Sequence, residues 1–161
     1  MFSTKSVVVL GVIAFFGFQS ALQAAELADK KVLTLDGAKK IAAAGEVEAR
    51  TNQWNVVIAV VDDGGHLLYL QRGDDAPIGS IDIAIGKART AAAFKRPTKV
   101  FDELAKTRPS INSLSNVVLL EGGVPVLVEG QLVGAVGVSG ATSPQDAQIA
   151  EVGIAALDAL K

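Results

Sequence analysis

The stretch that decides the fold is Asn55-Val56-Val57-Ile58-Ala59-Val60-Val61, then Asp62-Asp63-Gly64-Gly65, then His66-Leu67-Leu68-Tyr69-Leu70-Gln71-Arg72. Its first run is short, apolar and β-branched. Such residues crowd a helix but pack well on a pleated surface, so the run reads as a buried strand. Aspartate and glycine tolerate tight and left-handed conformations, which makes the next four residues a turn. His66 to Arg72 then returns as a second strand. Strands joined by so short a turn must run antiparallel.

Working outward, residues 25–33 read as a short arm, and a helix is predicted from Leu35 to Gln53 with Thr34 as its N-cap. Ala38, Ile41, Ala42, Gly45 and Ala49 recur along it at helical spacing. After the hairpin, Gly73-Asp74-Asp75-Ala76-Pro77 breaks the chain before a second helix, Ser80 to Phe94, with Ile81, Ile85, Ala88 and Ala92 as its apolar stripe. A short helix over Val100 to Lys106 stops at Arg108-Pro109, because a residue before proline is pushed out of the helical region. Ser110 to Asn116 is polar and loop-like. Three strands are predicted next, Val117–Leu120, Pro125–Glu129 and Gln131–Val138, with Glu129-Gly130 as the tight turn between the last two.

Ser143-Pro144-Gln145-Asp146 opens the final helix, with Ser143 as the expected cap; losing it should cost about 1 kcal/mol. Ala147, Ala150, Ile154 and Leu157 supply its buried stripe. The order α–β–β–α–α–β–β–β–α predicts an α+β domain, a mainly antiparallel five-stranded sheet flanked by helices.

Residues 1–24 read differently. Lys5 precedes an unbroken apolar run, Val7 to Phe18, and small residues then lead to a cut after Ala24 or Ala25. That order is the secretory pattern. A spanning helix needs about 20 apolar residues, and this run stops at Gln19. The expectation is a signal peptide over 1–24 and a single domain over 25–161, periplasmic or secreted and not inserted in the membrane.

Lys5 is the only one of the 15 basic residues in the leader, so the remainder carries 14 basic against 17 acidic residues. That mild negative balance argues against nucleic acid as a partner. There is no cysteine, and the sole methionine is Met1. The exported part therefore owns one imidazole, His66, one phenol, Tyr69, and no sulfur ligand.

Few motifs carry chemistry. Gly134-Ala-Val-Gly137-Val-Ser-Gly140 has the wrong spacing for a dinucleotide loop and lies within a strand. Its small residues instead let a helix or a ligand approach the sheet. Asp62, Asp63, Asp74 and Asp75 could converge on a hard cation, but aspartate–glycine runs are also ordinary turns. His66 starts a strand just beyond a turn, where an imidazole either faces a pocket or faces water. Tyr69 falls on the opposite strand face by period-two counting. Arg72, Lys87, Arg89, Lys95 and Arg96 could receive carboxylates such as haem propionates, or simply form a solvated face. No G-x-S-x-G elbow occurs.

The block Asp62-Asp-Gly-Gly-His-Leu67, Gly79 through Ala91, Phe94-Lys-Arg-Pro97, Glu121-Gly-Gly-Val-Pro125, Gly134 through Gly140 and the Asp146 helix resembles the haem-degrading GlcG/HbpS family, to which the C-terminal domain of PduO is related. The resemblance runs over roughly residues 33–160. It implies an antiparallel sheet with flanking helices, usually assembled as a homo-oligomer, and haem as the cofactor, with haem degradation or redox sensing in some members. Among ligand-capable residues only His66 sits in a placed motif, so the resemblance makes His66 the metal ligand; Arg72, Lys87 and Arg89 are the further expected cofactor contacts, as cations that could receive its carboxylates. The D/E-x-x-E iron pattern that goes with the secreted sensor type does not occur in residues 25–161.

Three functions are compatible with the sequence. The first is an exported haem-binding accessory or sensor protein. The second is a small-molecule enzyme acting on an organic acid or carbonyl compound, which needs His66, Asp63 and Lys87 within one site. The third is an oligomeric partner of a periplasmic oxidation system with no cofactor of its own.

Overall fold

A computed structural model of the protein describes residues 28–158; the expected leader lies outside the described residues. Helix α1 spans Leu35–Thr51, and Thr34 caps it as expected, its hydroxyl accepting the Gly37 N–H at 3.2 Å. Strands β1 (Val57–Asp62) and β2 (Leu67–Arg72) form the first hairpin, followed by α2 (Ser80–Phe94), α3 (Lys99–Thr107) and a 3-10 turn over Pro109–Ser113. Strands β3 (Gly123–Val128) and β4 (Gln131–Ser139) form the second hairpin, and α4 covers Ser143–Asp158. The sheet order is β2-β1-β4-β3, and every pairing is antiparallel.

Alternation along β1 sorts the core onto two faces. Val56, Ile58 and Val60 point toward α1 and α4, joining Ile41, Ala42, Ile149 and Ala150. Val57, Ala59 and Val61 point the other way, toward the alanines of α2. β1 and β4 are the inner strands and are almost wholly buried. That explains why the Val57–Val61 run shows no polar alternation.

Gly137 fixes how closely α2 lies on the sheet. A Cβ there would stand 2.0 Å from the Ala84 carbonyl oxygen and 2.5 Å from the Ala88 nitrogen, so helix backbone rests directly on strand backbone. The small-residue run of β4 is thus a seat for a helix. On α2 itself the buried stripe is Ala84, Lys87, Ala88 and Ala91, while Ile81 and Ile85 sit half-buried beside Leu70.

The sheet has four strands, which corrects the five-stranded expectation. Residues 117–120 are apolar enough for a strand but lie over α2. Asn116 takes a left-handed φ of 60°, turning the chain out of line with a ladder. Side chains then satisfy the backbone donors a neighbouring strand would have paired: Thr90 Oγ1 accepts the Val118 N–H at 3.0 Å, and Asp102 Oδ2 accepts the Glu121 N–H at 3.2 Å. Periodicity cannot reveal such partners.

The start of α4 also differs in detail. The first helical bond runs from the Asp146 N–H to the Thr142 carbonyl, and Gln145 Oε1 reaches back to the Thr142 N–H at 3.1 Å. Thr142 therefore stands in the capping position with a reciprocal glutamine, where Ser143 was expected. Among the described residues no helix is long and apolar enough to cross a membrane.

Candidate functional site

The β1–β2 turn is built around one carboxylate. Asp62 Oδ1 accepts the Gly64 N–H at 2.9 Å and the His66 N–H at 2.8 Å, the side-chain turn that aspartate favours. The His66 backbone N–H holds the Asp62 carboxyl below its ordinary value, against partial burial, with the Gly64 N–H adding to the effect. Asp62 is therefore ionised at neutral pH.

His66 stands on this turn with 83% of its side chain exposed and its Nδ1 3.4 Å from Asp62 Oδ1. A Cβ on Gly64 would approach Nδ1 to 2.9 Å, so a larger residue there would displace the ring. Nε2 has no hydrogen-bond partner among the described residues. Carboxylate on one nitrogen and nothing on the other is the arrangement of a ready imidazole ligand, because a partner at Nδ1 fixes the tautomer and orients the ring.

Arg89 of α2 reaches the same turn, its Nε donating to the Gly65 carbonyl at 3.3 Å. One guanidinium donor of five is thereby engaged, leaving the others for a carboxylate. One helical turn further, Ala92, Ala93 and Lys95 line a cleft of about 370 Å³ with Asp63, Lys30 and the β3–β4 turn at Gly130–Leu132. Lys30 pairs with Asp63 across this cleft. Imidazole, guanidinium and two ammonium groups thus border one corner of the molecule.

The other predicted residues lie elsewhere. Arg72 closes the far end of β2, six residues from His66 and so about 20 Å along the strand; its Nη2 donates to the Ala76 carbonyl at 3.2 Å. Asp74 and Asp75 share that far end, and among the described residues no three acidic or histidine side chains gather as a metal site. Lys87 is inside the protein. Its Nζ donates to Asp146 Oδ2 at 2.8 Å and to the Val138 carbonyl at 2.9 Å. Val138 pairs with Ile58, four residues from Asp62, which separates Lys87 from the turn by about 13 Å. The grouping of His66, Asp63 and Lys87 that an acid–base enzyme needed is not formed.

The Lys87–Asp146 pair was missed in the sequence. Asp146 reads there as a helix-start carboxylate and Lys87 as a surface cation. The available signal was the position of Lys87 among Ala84, Ala88 and Ala91, a charge inside the stripe that faces the sheet.

A four-stranded antiparallel sheet flanked by helices, with one exposed histidine at a hairpin turn, defines the class of domain. The chain belongs to the family described as haem degrading protein HbpS-like, whose pattern matches residues 33–155. It is 51% identical to protein GlcG of Escherichia coli over 112 residues, 68% of this chain and 83% of that protein. A double mutant of Streptomyces reticuli HbpS superposes with a TM-score of 0.75 at 32% identity, covering 95% of this chain and 97% of that one. The haem complex of PduOC superposes with a TM-score of 0.72 at 29% identity, covering 78% and 95%.

Proposed function

We propose that this protein is an exported haem-binding accessory or sensor protein in which His66 ligates the iron and Arg89 receives a propionate. The observation that carries the reading is the meeting of His66 and Arg89 at the β1–β2 turn. An exposed imidazole, oriented by Asp62 through Nδ1, stands beside a guanidinium with free donors. Relatedness to HbpS and to a domain solved with haem supports the choice of ligand.

The residues present fit the group. An imidazole with an open Nε2 suits haem iron, and Arg89, with Lys95 at the adjoining cleft, suits two carboxylates. Bound haem would supply reversible ligand binding and one-electron chemistry. The protein's part is to present Nε2, to keep Nδ1 against an ionised carboxylate, and to fix the propionates. Arg72 and Lys87 take no part in this reading, the first by distance and the second by burial.

Export enters the proposal through the charged, apolar and small-residue order of residues 1–24. Association into a homo-oligomer enters through β2, an edge strand free of proline whose Leu67 is 44% exposed. A second copy there would cover the edge and give the haem a second wall. Hemin titrated into the protein should produce a saturable Soret shift at one equivalent per chain. The mass of the chain recovered from the cell envelope should correspond to cleavage after Ala24 or Ala25. Absence of the shift removes haem binding, and an intact N-terminus removes export.

A further inference from the structure

Asp62 Oδ1 is pinned behind the His66 ring. Two backbone donors hold it, the Gly64 N–H at 2.9 Å and the His66 N–H at 2.8 Å. The pinned oxygen lies 3.4 Å from His66 Nδ1, the ring nitrogen that a ligand at Nε2 leaves unused. The carboxylate cannot swing aside without breaking both backbone bonds, so its charge stays beside the imidazole. The neighbouring carboxylate, Asp63, is paired with Lys30 instead. The Arg89 Nε is engaged by the Gly65 carbonyl rather than by Asp62.

A carboxylate at Nδ1 draws the N–H proton toward itself and leaves more negative charge on Nε2, which makes the imidazole a more basic ligand. The ferric haem core is cationic and the ferrous core is neutral, so an anion behind the ligand stabilises the first and not the second. Hydrogen bonding around the axial ligand is one of the levers by which a protein sets a haem potential.

We infer that Asp62 is a positioning residue that lowers the reduction potential of haem on His66 and so holds the iron ferric. The inference rests on His66 as the iron ligand.

The sequence holds one histidine, so NMR of the protein without hemin sees a single imidazole. At about pH 8, where an imidazole is neutral, its proton should sit on Nδ1, the tautomer a free histidine disfavours. A proton on Nε2 overturns the inference, whether or not haem binds and without any variant. With hemin bound, the midpoint potential is then measured in the wild type, Asp62→Asn and Asp63→Asn. Asparagine keeps an acceptor oxygen for the Gly64 and His66 N–H groups but lacks the charge. In Asp62→Asn the preference for ferric over ferrous iron should fall roughly tenfold, a rise of about 59 mV for one electron. Asp63→Asn, which removes an equal charge next door, should change it far less. An unchanged midpoint in Asp62→Asn, or an equal rise in both variants, overturns the inference and leaves His66 as ligand. A Soret shift absent from the wild type, or unchanged in His66→Ala, removes the haem reading itself and this inference with it.

Discussion

Lys87 Nζ lies 2.8 Å from Asp146 Oδ2 inside the protein, where neither side chain keeps more than 3% of its surface. The contact ties α2 to the first turn of α4 across β4, whose Val138 carbonyl takes a second Lys87 proton. Burial pushes the Asp146 carboxyl up, against the pull of Lys87 and of the Ala141 N–H. Taking two charges out of water costs more than it returns unless their hydrogen-bonding groups are met; here Lys87 donates to Asp146 and Val138, and the second Asp146 oxygen accepts the Ala141 N–H. Asp146→Asn or Lys87→Met alone should cost about 3–5 kcal/mol, because each strands the other charge. Lys87→Met with Asp146→Leu should recover most of that loss. Urea midpoints of the three variants check it, and equal losses in the single and double variants would contradict it.

Gly122 roofs this pair. Its φ is +126°, and a Cβ there would meet Lys87 Nζ at 2.7 Å and the Val138 oxygen at 2.9 Å. Gly122→Ala should cost more than the roughly 1–3 kcal/mol of backbone strain alone. Gly130, also left-handed but with nothing within 4 Å, is the control. Gly130→Ala should cost less than Gly122→Ala in thermal unfolding.

Thr90 holds the segment that is not a strand. Its hydroxyl accepts the Val118 N–H and donates to the Gly86 carbonyl at 2.8 Å. Thr90→Val should cost about 1–2 kcal/mol and speed hydrogen exchange at Val118 far more than at Val136 in the sheet. Equal changes at both amides would mean that the segment is not held by this bond.

The turn at His66 is pH-sensitive through Asp62. Its folded carboxyl is held below the ordinary 3.8, so its contribution is present above that value and is lost as the pH falls through the lower folded value. Between about pH 6 and pH 2, Asp62→Asn should lose less stability than the wild type. Parallel pH profiles would refute this origin.

Much of the fold was legible. The limits of α2, both hairpins and the α1 stripe follow from period and turn chemistry, because they depend on residues near in sequence. Residues 117–120 were not, because Thr90, which holds Val118, lies 28 residues away, and Asp102, which holds the next residue, Glu121, lies 19 away. At the site, His66 was legible from its place beside the Gly-Gly turn. Its companionship with Arg89, and its separation from Arg72 and Lys87, depended on how α2 lies across the sheet. That placement is set by backbone contact at Gly137; the small-residue run of β4 announces a close approach but not which helix makes it.

The reading of His66 and Arg89 as the haem site is tested most directly by the Soret spectrum during hemin titration of His66→Ala, with Arg72→Ala as the distant control. Loss or marked weakening of the shift in His66→Ala, with Arg72→Ala matching the wild type, is the predicted result. A Soret band in His66→Ala identical in position and midpoint to that of the wild type would contradict it.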